Sequence, residues 1–352
     1  MAFAGVKIAY LSWNQKRFLM EFENKLEELL NTGVVKKSDI CDLNSLDDDS
    51  VHREFYNFFY ELIEKMSIKY SVSPLYFYID PFLSCSSKST FIKGLYLIRI
   101  SKGYPLVYQN ILYTQNTFSL NTKIQELYGG LLNSTGFDLN DFFLKSSMNF
   151  TFYHEFRHLL QSNDKEFSFS ENSTKSEFSS ERHLLEFDAD RIGARHLMDY
   201  AFDRYEILSD KNPENLKLLL ILSLGSVVVT FLLYEYKALD IYNPIPKEPE
   251  EFYLEERTHP HTLIRLAHIF EFYSENVKVN YPNLNIGLID FLKYSIEVAG
   301  IFFMDNFEVE IVGNYLQEFA LNLDKINSYN QKLFDESSKQ PRIKELMKIY
   351  KL

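Results

Sequence analysis

The spacing of apolar and polar residues changes about one third of the way along the chain. Before that point, the segments VKIAYLSW, LYFYIDPF and GLYLIRISKG have the short apolar or alternating pattern of β-strands. The segment QKRFLMEFENKLEELLNTG has the apolar spacing of an amphipathic helix that ends at a glycine. These elements predict a small mixed α/β portion over residues 1–115.

After residue 115, strand signals become scarce and helix-like spacing dominates. The predicted fold class is therefore α+β, predominantly helical, with a small mixed sheet in the N-terminal third. A core is predicted over residues 116–276 and a C-terminal helical extension over 277–352. The apolar spacing predicts helices at 142–162, 180–202, 214–236, 260–276, 286–303 and 310–326.

The longest apolar run, residues 218–233, raises the question of a membrane span. As a helix it would cover about 24 Å, less than the roughly 30 Å of a bilayer's hydrocarbon layer. It also carries Ser223, Gly225 and Thr230. Its length therefore favours a buried core helix.

The composition of the chain argues against several classes of function. A formal net charge of -12, without clustered Lys and Arg, argues against nucleic-acid and anionic-membrane partners. The two cysteines, Cys41 and Cys85, lie in separate segments and predict neither a disulfide framework nor a cysteine-ligated zinc site. The N-terminal segment lacks the pattern of a signal peptide. We therefore predict a cytoplasmic protein.

Two histidines four residues apart, in the segment FYHEFRHLLQ, are the first chemical signal. On a helix, His154 and His158 would share one face, with Glu155 projecting about 100° around the axis. In metalloproteases this HExxH spacing fixes Zn²⁺ and places the glutamate as general base. Apolar neighbours at helical spacing predict that the histidines face a cleft. Two surface or capped histidines on an ordinary helix are the alternative.

A third ligand is predicted on the next helix, for which Ser180 is a candidate N-cap. Glu186 and Asp190 lie four residues apart on one face, so we predict that Glu186 ligates zinc. Asp190 would accept the second ring N–H of a ligand histidine. Small residues on the same face, Gly193 and Ala194, would let this helix approach the first one closely.

His183 and Asp188 remain open as rival third ligands, since spacing alone does not separate them from Glu186. A solvated acidic face is the alternative for the whole acidic run.

A third segment begins at Thr258. Pro260 suits the first turn of a helix, which would put Thr258 or His259 at the helix N-terminus. There an imidazole and free backbone N–H groups would face an anionic oxygen, so His259 is a candidate for steadying a tetrahedral intermediate. His261 and Arg265 are further candidates, and a helix cap or packed residue is the alternative.

These three segments together resemble the Lit peptidase family of phage-exclusion zinc metalloproteases and, more distantly, the HtpX-like minigluzincins. The shared pattern is HExxH, then Glu-x-x-x-Asp, then Thr-His-Pro leading to an Arg, over roughly residues 145–270. The resemblance implies a zincin-like core with zinc ligands His154, His158 and Glu186, catalytic base Glu155, and supporting residues Asp190, His259 and Arg265.

The resemblance also implies a cytosolic protein substrate, and the known target of the Lit family is translation elongation factor Tu. The chain departs from the pattern at Ile264, where these families often carry an acidic residue before the Arg. HtpX-like enzymes have several long apolar spans, whereas this chain has one run at 218–233.

We therefore predict a zinc-dependent metallopeptidase that hydrolyses peptide bonds of a cytosolic protein. The segment GLYLIRISKG is predicted to lie near a sheet edge, where an extended peptide would pair. The alternatives are a non-proteolytic zinc-binding regulator or sensor, a membrane-associated protease anchored by residues 216–234, and a structural protein without a metal.

Overall fold

The computed structural model describes residues 24–42, 51–132, 137–162, 167–170, 178–235, 251–307 and 311–350. Within these residues the chain is mostly helical with one small mixed sheet, as the sequence predicted. The predicted strand VKIAYLSW lies outside them. The strands are β1 (Leu75–Asp80), β2 (Ser87–Ile92), β3 (Leu95–Ser101) and β4 (Phe167–Ser170).

The helices begin with α1 at residues 24–31. Short 3-10 turns lie at Lys37–Asp39 and Pro282–Leu284, and a π-helical turn at Gln109–Thr114. The remaining α-helices are α2 (Val51–Tyr70), α3 (Gly103–Tyr108), α4 (Thr117–Leu120), α5 (Thr122–Leu132), α6 (Leu139–Gln161), α7 (Ser180–Glu206), α8 (Pro213–Glu235), α9 (Thr262–Asn280), α10 (Leu288–Phe307), α11 (Ile311–Ser337) and α12 (Pro341–Tyr350).

The sheet has the strand order β1-β3-β2-β4. Strand β3 runs parallel to β1 and antiparallel to β2, and β4 runs antiparallel to β2. Strand β3 lies next to β1 at one end of this order and is paired on both sides, so the prediction that GLYLIRISKG would itself pair with an extended peptide is wrong. Lys93 and Gly94 join β2 to β3 with φ of 51° and 77°. Such positive φ values are typical of a two-residue hairpin turn, which matches the twist of the strands.

Helix α2 connects the sheet to α6 through aromatic contacts. Phe59 stacks on Phe77 of β1 with ring centroids 4.6 Å apart and meets Phe152 of α6 edge-on at 5.5 Å. On the other side of the sheet, a smaller cluster joins Leu29 of α1 to Leu97 of β3. Strand β2 itself lies against α6. The sheet is thereby fixed beside the helix that carries the HExxH turn.

Helix α8 contains the apolar run at 218–233 and is buried along most of its length. It packs against α5, α6, α7, α9 and α10. Among the described helices it alone has the length and composition that a membrane crossing requires, and 89% of its apolar window is buried inside the fold. Burial of this kind is what a core helix shows.

Helices α6 and α7 both begin at a side-chain cap. Asp138 accepts a hydrogen bond from the backbone N–H of Asp141 (3.0 Å), and Ser179 accepts one from Arg182 (3.3 Å). The predicted cap, Ser180, is instead the first residue of α7. Both caps satisfy backbone donors that a helix start leaves open.

Glycine allows α7 to approach α6 closely. A Cβ atom on Gly193 would lie 2.9 Å from Cε2 of Phe150 and 3.2 Å from its carbonyl oxygen. Neither a ring in a packed core nor a backbone carbonyl can move away cheaply. The position therefore requires glycine, as the predicted close approach of the two helices implied.

The predicted C-terminal extension is helical and packs onto the core. Tyr329 of α11 hydrogen-bonds to His183 of α7 (2.8 Å), and the Arg342 guanidinium of α12 donates to the carbonyl of Leu160 near the end of α6. One hydrophobic cluster extends from Cys41 to residues of α12. The predicted boundary after residue 276 falls within α9.

We expect Gly193→Ala to destabilise the protein by roughly 1 kcal/mol, because overpacking costs about 1–3 kcal/mol and outweighs a gain in helix propensity of about 1 kcal/mol. The matched control is Gly129→Ala in α5, where a Cβ atom would meet no described residue within 4 Å. That variant should be neutral or more stable. Urea denaturation measures both, and equal effects would contradict the close packing.

Candidate metal centre

Helix α6 brings the two histidines of the HExxH segment together. His154 and His158 lie on successive turns, with ring centroids 4.6 Å apart and their Nε2 atoms separated by 3.1 Å. They are only 2% and 1% exposed, because α6 is buried on nearly all sides. The prediction that the histidines face a cleft is not met, because both are buried and face Glu186 of α7.

Helix α7 supplies a carboxylate to the same point. Glu186 places Oε2 3.5 Å from Nε2 of His154 and Oε1 3.3 Å from Nε2 of His158. One ligand atom from each of the three side chains lies within 4.8 Å of the other two. Two imidazole nitrogens and a carboxylate oxygen converge in a buried group that could bind a metal ion.

The Nδ1 atom of each histidine, on the side of the ring away from Glu186, also lies close to a side-chain oxygen. Nδ1 of His154 lies 3.0 Å from Oδ1 of Asp190, and Nδ1 of His158 lies 2.8 Å from Oε1 of Gln161. An acceptor at Nδ1 favours the tautomer in which Nδ1 carries the proton and Nε2 presents its lone pair. Both imidazoles are thus oriented for coordination through Nε2. Asp190 lies where the sequence predicted, whereas Gln161 was not anticipated.

Asp188, one of the rival third ligands, is engaged elsewhere. Its two oxygens accept from Nε and Nη2 of Arg157 at 2.6 and 3.0 Å, and Oδ2 also accepts from Nε2 of Gln161 at 2.8 Å. Arg157 is fully buried. The pair therefore forms a buried clamp that holds Gln161 in place for His158.

His183, the other rival, is engaged as well. Its Nδ1 lies 2.8 Å from the hydroxyl of Tyr329, and its Nε2 lies 2.8 Å from the carbonyl oxygen of Arg257. This histidine ties α7 to α11 and to the segment before α9. The geometry therefore favours Glu186 as the third donor.

Arg265 of α9 lies beside both carboxylates of α7. Its guanidinium donates to the two oxygens of Asp190 at 2.7 and 2.8 Å, and Nη2 lies 3.2 Å from Oε2 of Glu186. Burial raises the pKa of Glu186, but the nearby His158, His259 and Arg265 outweigh it and hold this pKa well below its ordinary value. Burial likewise raises the pKa of Asp190, but Arg265 and His154 together outweigh it and hold this pKa below its ordinary value.

The charges of the site fit a cation. Glu186 and Asp190 are both buried and share the guanidinium of Arg265. Metal ligation requires neutral imidazoles. In that state two carboxylates against one guanidinium leave a net negative charge in a buried position, which is costly. A divalent cation between the three ligand atoms would offset that charge, so the residues present fit a bound metal.

His259 reaches the site, although the start of α9 differs from the prediction. Nε2 of His259 lies 3.3 Å from Oε1 of Glu186. The helix begins at Thr262, and its cap is His261, whose Nδ1 accepts from the backbone N–H of Leu263 at 3.1 Å. Pro260 therefore precedes the helix, and the placement of Thr258 or His259 at its N-terminus is wrong. The imidazole of His261 takes the capping role.

Glu155 points toward the sheet side of α6. Its carboxylate accepts a hydrogen bond of 2.5 Å from the hydroxyl of Ser87 in β2, and the residue is 1% exposed. No sequence pattern signals this contact, since the two residues are far apart in the chain and Ser87 belongs to no motif. Gln161 could have been found, because it follows His158 by three residues on one helix.

Comparison of the chain with protein-family models, with curated proteins and with solved structures found no significant match. Function must therefore be inferred from the chemistry of the site.

We expect His158→Ala and Glu186→Ala to retain less than about a tenth of the divalent metal that the parent binds, because each removes one of three ligands. His183→Gln is the matched control: it changes a buried residue of α7 that bonds to Tyr329 and Arg257, and it should retain the metal. Elemental analysis after dialysis against a weak chelator measures all three. Loss of metal from His183→Gln with retention in Glu186→Ala would reverse the choice of third ligand.

Asp188→Ala should lower the free energy of unfolding by about 3–5 kcal/mol, because it leaves the buried guanidinium of Arg157 without its partner. The comparison variant is Glu206→Ala, which breaks an exposed pair with Lys211 and should have a much smaller effect. Urea denaturation of the metal-free protein gives both values. Similar small effects would show that the clamp contributes little.

Proposed function

We propose that this protein is a zinc-dependent metalloendopeptidase with a zincin-like core. The observation that carries the proposal is the convergence of His154, His158 and Glu186, with Glu155 next to His154 in the sequence. Two imidazoles and one carboxylate are a donor set found in catalytic zinc sites, which keep the fourth position for water or substrate. The HExxH spacing adds a glutamate next to the first ligand.

Each residue of the site has a role in the proposed reaction. Bound Zn²⁺ would polarise the scissile carbonyl and lower the pKa of water at the site. Glu155 takes the proton from the attacking water and delivers it to the leaving amine. His259 donates to the oxygen on which negative charge develops. Asp190 keeps His154 in the coordinating tautomer, and Arg265 holds Asp190 and Glu186 in place.

The resemblance of the three motifs to the Lit peptidases supports a cytosolic protein as substrate, with a translation factor as the family's precedent and phage exclusion as the biological role. It also supports a cytoplasmic location. The burial of α8 fits this proposal, because anchoring the protein by that helix would require it to leave contacts with α6, α7 and α10.

One observation favours a second candidate, a zinc-binding regulator or sensor that cuts no peptide. His154, His158, Glu155 and Glu186 are each at most 2% exposed. A peptide must reach the scissile position, so catalysis requires residues that cover the site to move. A regulator would need no such opening. Zinc bound at the site without hydrolysis of any peptide would favour this candidate.

The deciding variant is Glu155→Gln. It should bind zinc as tightly as the parent, since Glu155 is not a ligand, and turnover should fall by about 10²–10⁴-fold because the proton acceptor is lost. Suitable substrates are fluorescein-labelled casein and a degenerate peptide library read by mass spectrometry. Glu181→Gln, in the first turn of α7, is a control that should keep full activity. An equally active Glu155→Gln would disprove the proposed base.

A further inference from the structure

A line of buried hydroxyl groups leads to the carboxylate of Glu155. Ser87 donates to Oε1 of Glu155 at 2.5 Å, and the hydroxyl of Tyr234 donates to Ser87 at 3.1 Å. Ser87 is 1% exposed and Tyr234 is 6% exposed. The three residues come from β2, α8 and α6, so three separate elements meet at the hydroxyl of Ser87.

The hydroxyl of Tyr234 continues into a larger buried cluster. It lies 3.4 Å from the hydroxyl of Thr151, one turn before Glu155 on α6. Further contacts join five hydroxyls in the core between α3, α6 and α8: Tyr104, Tyr108, Ser147, Thr151 and Thr230. Because the cluster is buried on rigid elements, the position of Tyr234 is well defined.

Proton counting fixes the direction of the last two hydrogen bonds. A hydroxyl has one proton to donate. The proton of Tyr234 is directed to Ser87, and that of Ser87 is directed to Glu155, which leaves Oε1 of Glu155 as the acceptor at the end of the line. A carboxylate acceptor makes the Ser87 bond a short, charge-assisted one. The bond sets the rotation of the Glu155 carboxyl group about its own axis.

We propose that Ser87 and Tyr234 are positioning residues for the general base. This role rests on the proposed peptidase function: Ser87 holds Oε1 and thereby fixes the orientation of the carboxylate that acts as the base. Tyr234 fixes the hydroxyl of Ser87 in the donating orientation. Geometry of the base within a fraction of an ångström matters for rate, because proton transfer requires alignment with the attacking water.

A purely structural role for these hydrogen bonds makes a different prediction. If they only satisfied a buried carboxylate, their loss would lower stability without a selective effect on the chemical step. If they position the base, kcat falls while KM stays the same, because the substrate is still bound. Zinc content is expected to be unchanged in either case, since neither residue is among the ligands.

The test uses the zinc-loaded full chain with labelled casein-derived peptides. Ser87→Ala should lower kcat by about 10–100-fold with KM within about twofold of the parent, and Ser87→Thr, which restores a hydroxyl, should recover most of the rate. Tyr234→Phe removes only an oxygen and should lower kcat by a few-fold. The matched control is Tyr108→Phe, which removes a hydroxyl that bonds to Ser147 in the same cluster.

A second readout does not depend on activity. In a thermal double-mutant cycle, Ser87→Ala should lower the unfolding midpoint of the parent but have much less effect in the Glu155→Ala background, because the contact is already absent there. Additive midpoint shifts would overturn the contact itself.

The outcomes separate this inference from the proposed function. A zinc-loaded parent that hydrolyses no peptide overturns both. An active parent whose Ser87→Ala variant is equally fast overturns only the positioning role, as does a Tyr108→Phe variant that loses as much kcat as Ser87→Ala.

Discussion

The structure depends on the close approach of α7 to α6. Gly193 lets α7 lie against Phe150, and the same contact sets Glu186 opposite His154 and His158. The local sequence of either helix does not bring these ligand atoms together. They meet because the axes of α6 and α7 lie close to each other. A side chain at Gly193 would increase that separation and move Glu186 away from both imidazoles, so the packing of the core and the chemistry of the site are one constraint.

Around this contact, the fold holds charged groups where water scarcely reaches. Arg157 and Asp188 form hydrogen bonds to each other, and Asp188 also orients Gln161. Glu186 and Asp190 instead share the guanidinium of Arg265. Buried ions of this kind add little net stability, because desolvation offsets most of their attraction. Their role is to orient side chains, because each carboxylate or amide oxygen lies against a particular ring nitrogen. Such arrangements are typical of sites that bind metal or perform chemistry.

The long helices were predicted well from the sequence, because their apolar spacing repeats over many residues. The same spacing placed Glu186 and Asp190 on the correct helix. It missed α2, although Phe55, Phe59 and Ile63 recur at helical spacing there. It missed the hairpin at Lys93 and Gly94, whose turn depends on φ values that one glycine signals only weakly. The start of α9 was misplaced because a proline fits equally well before a cap and inside a first turn.

Other features lay beyond any pattern. Local spacing could not show that His183 is bound to Tyr329, or that Asp188 is bound to Arg157, since both facts arise from tertiary packing. The same holds for Ser87 beside Glu155 and for the burial of the histidines. Periodicity gives the face of a helix on which a residue lies; what covers that face is set by the rest of the chain.

The most direct test of the account is anomalous diffraction at the zinc absorption edge from crystals of the zinc-loaded protein. We expect one strong peak at about 2.0–2.2 Å from Nε2 of His154, Nε2 of His158 and a carboxylate oxygen of Glu186. A zinc-loaded crystal with no peak between these three side chains, and with Glu186 still turned to Arg265, would contradict the metal centre and the function inferred from it.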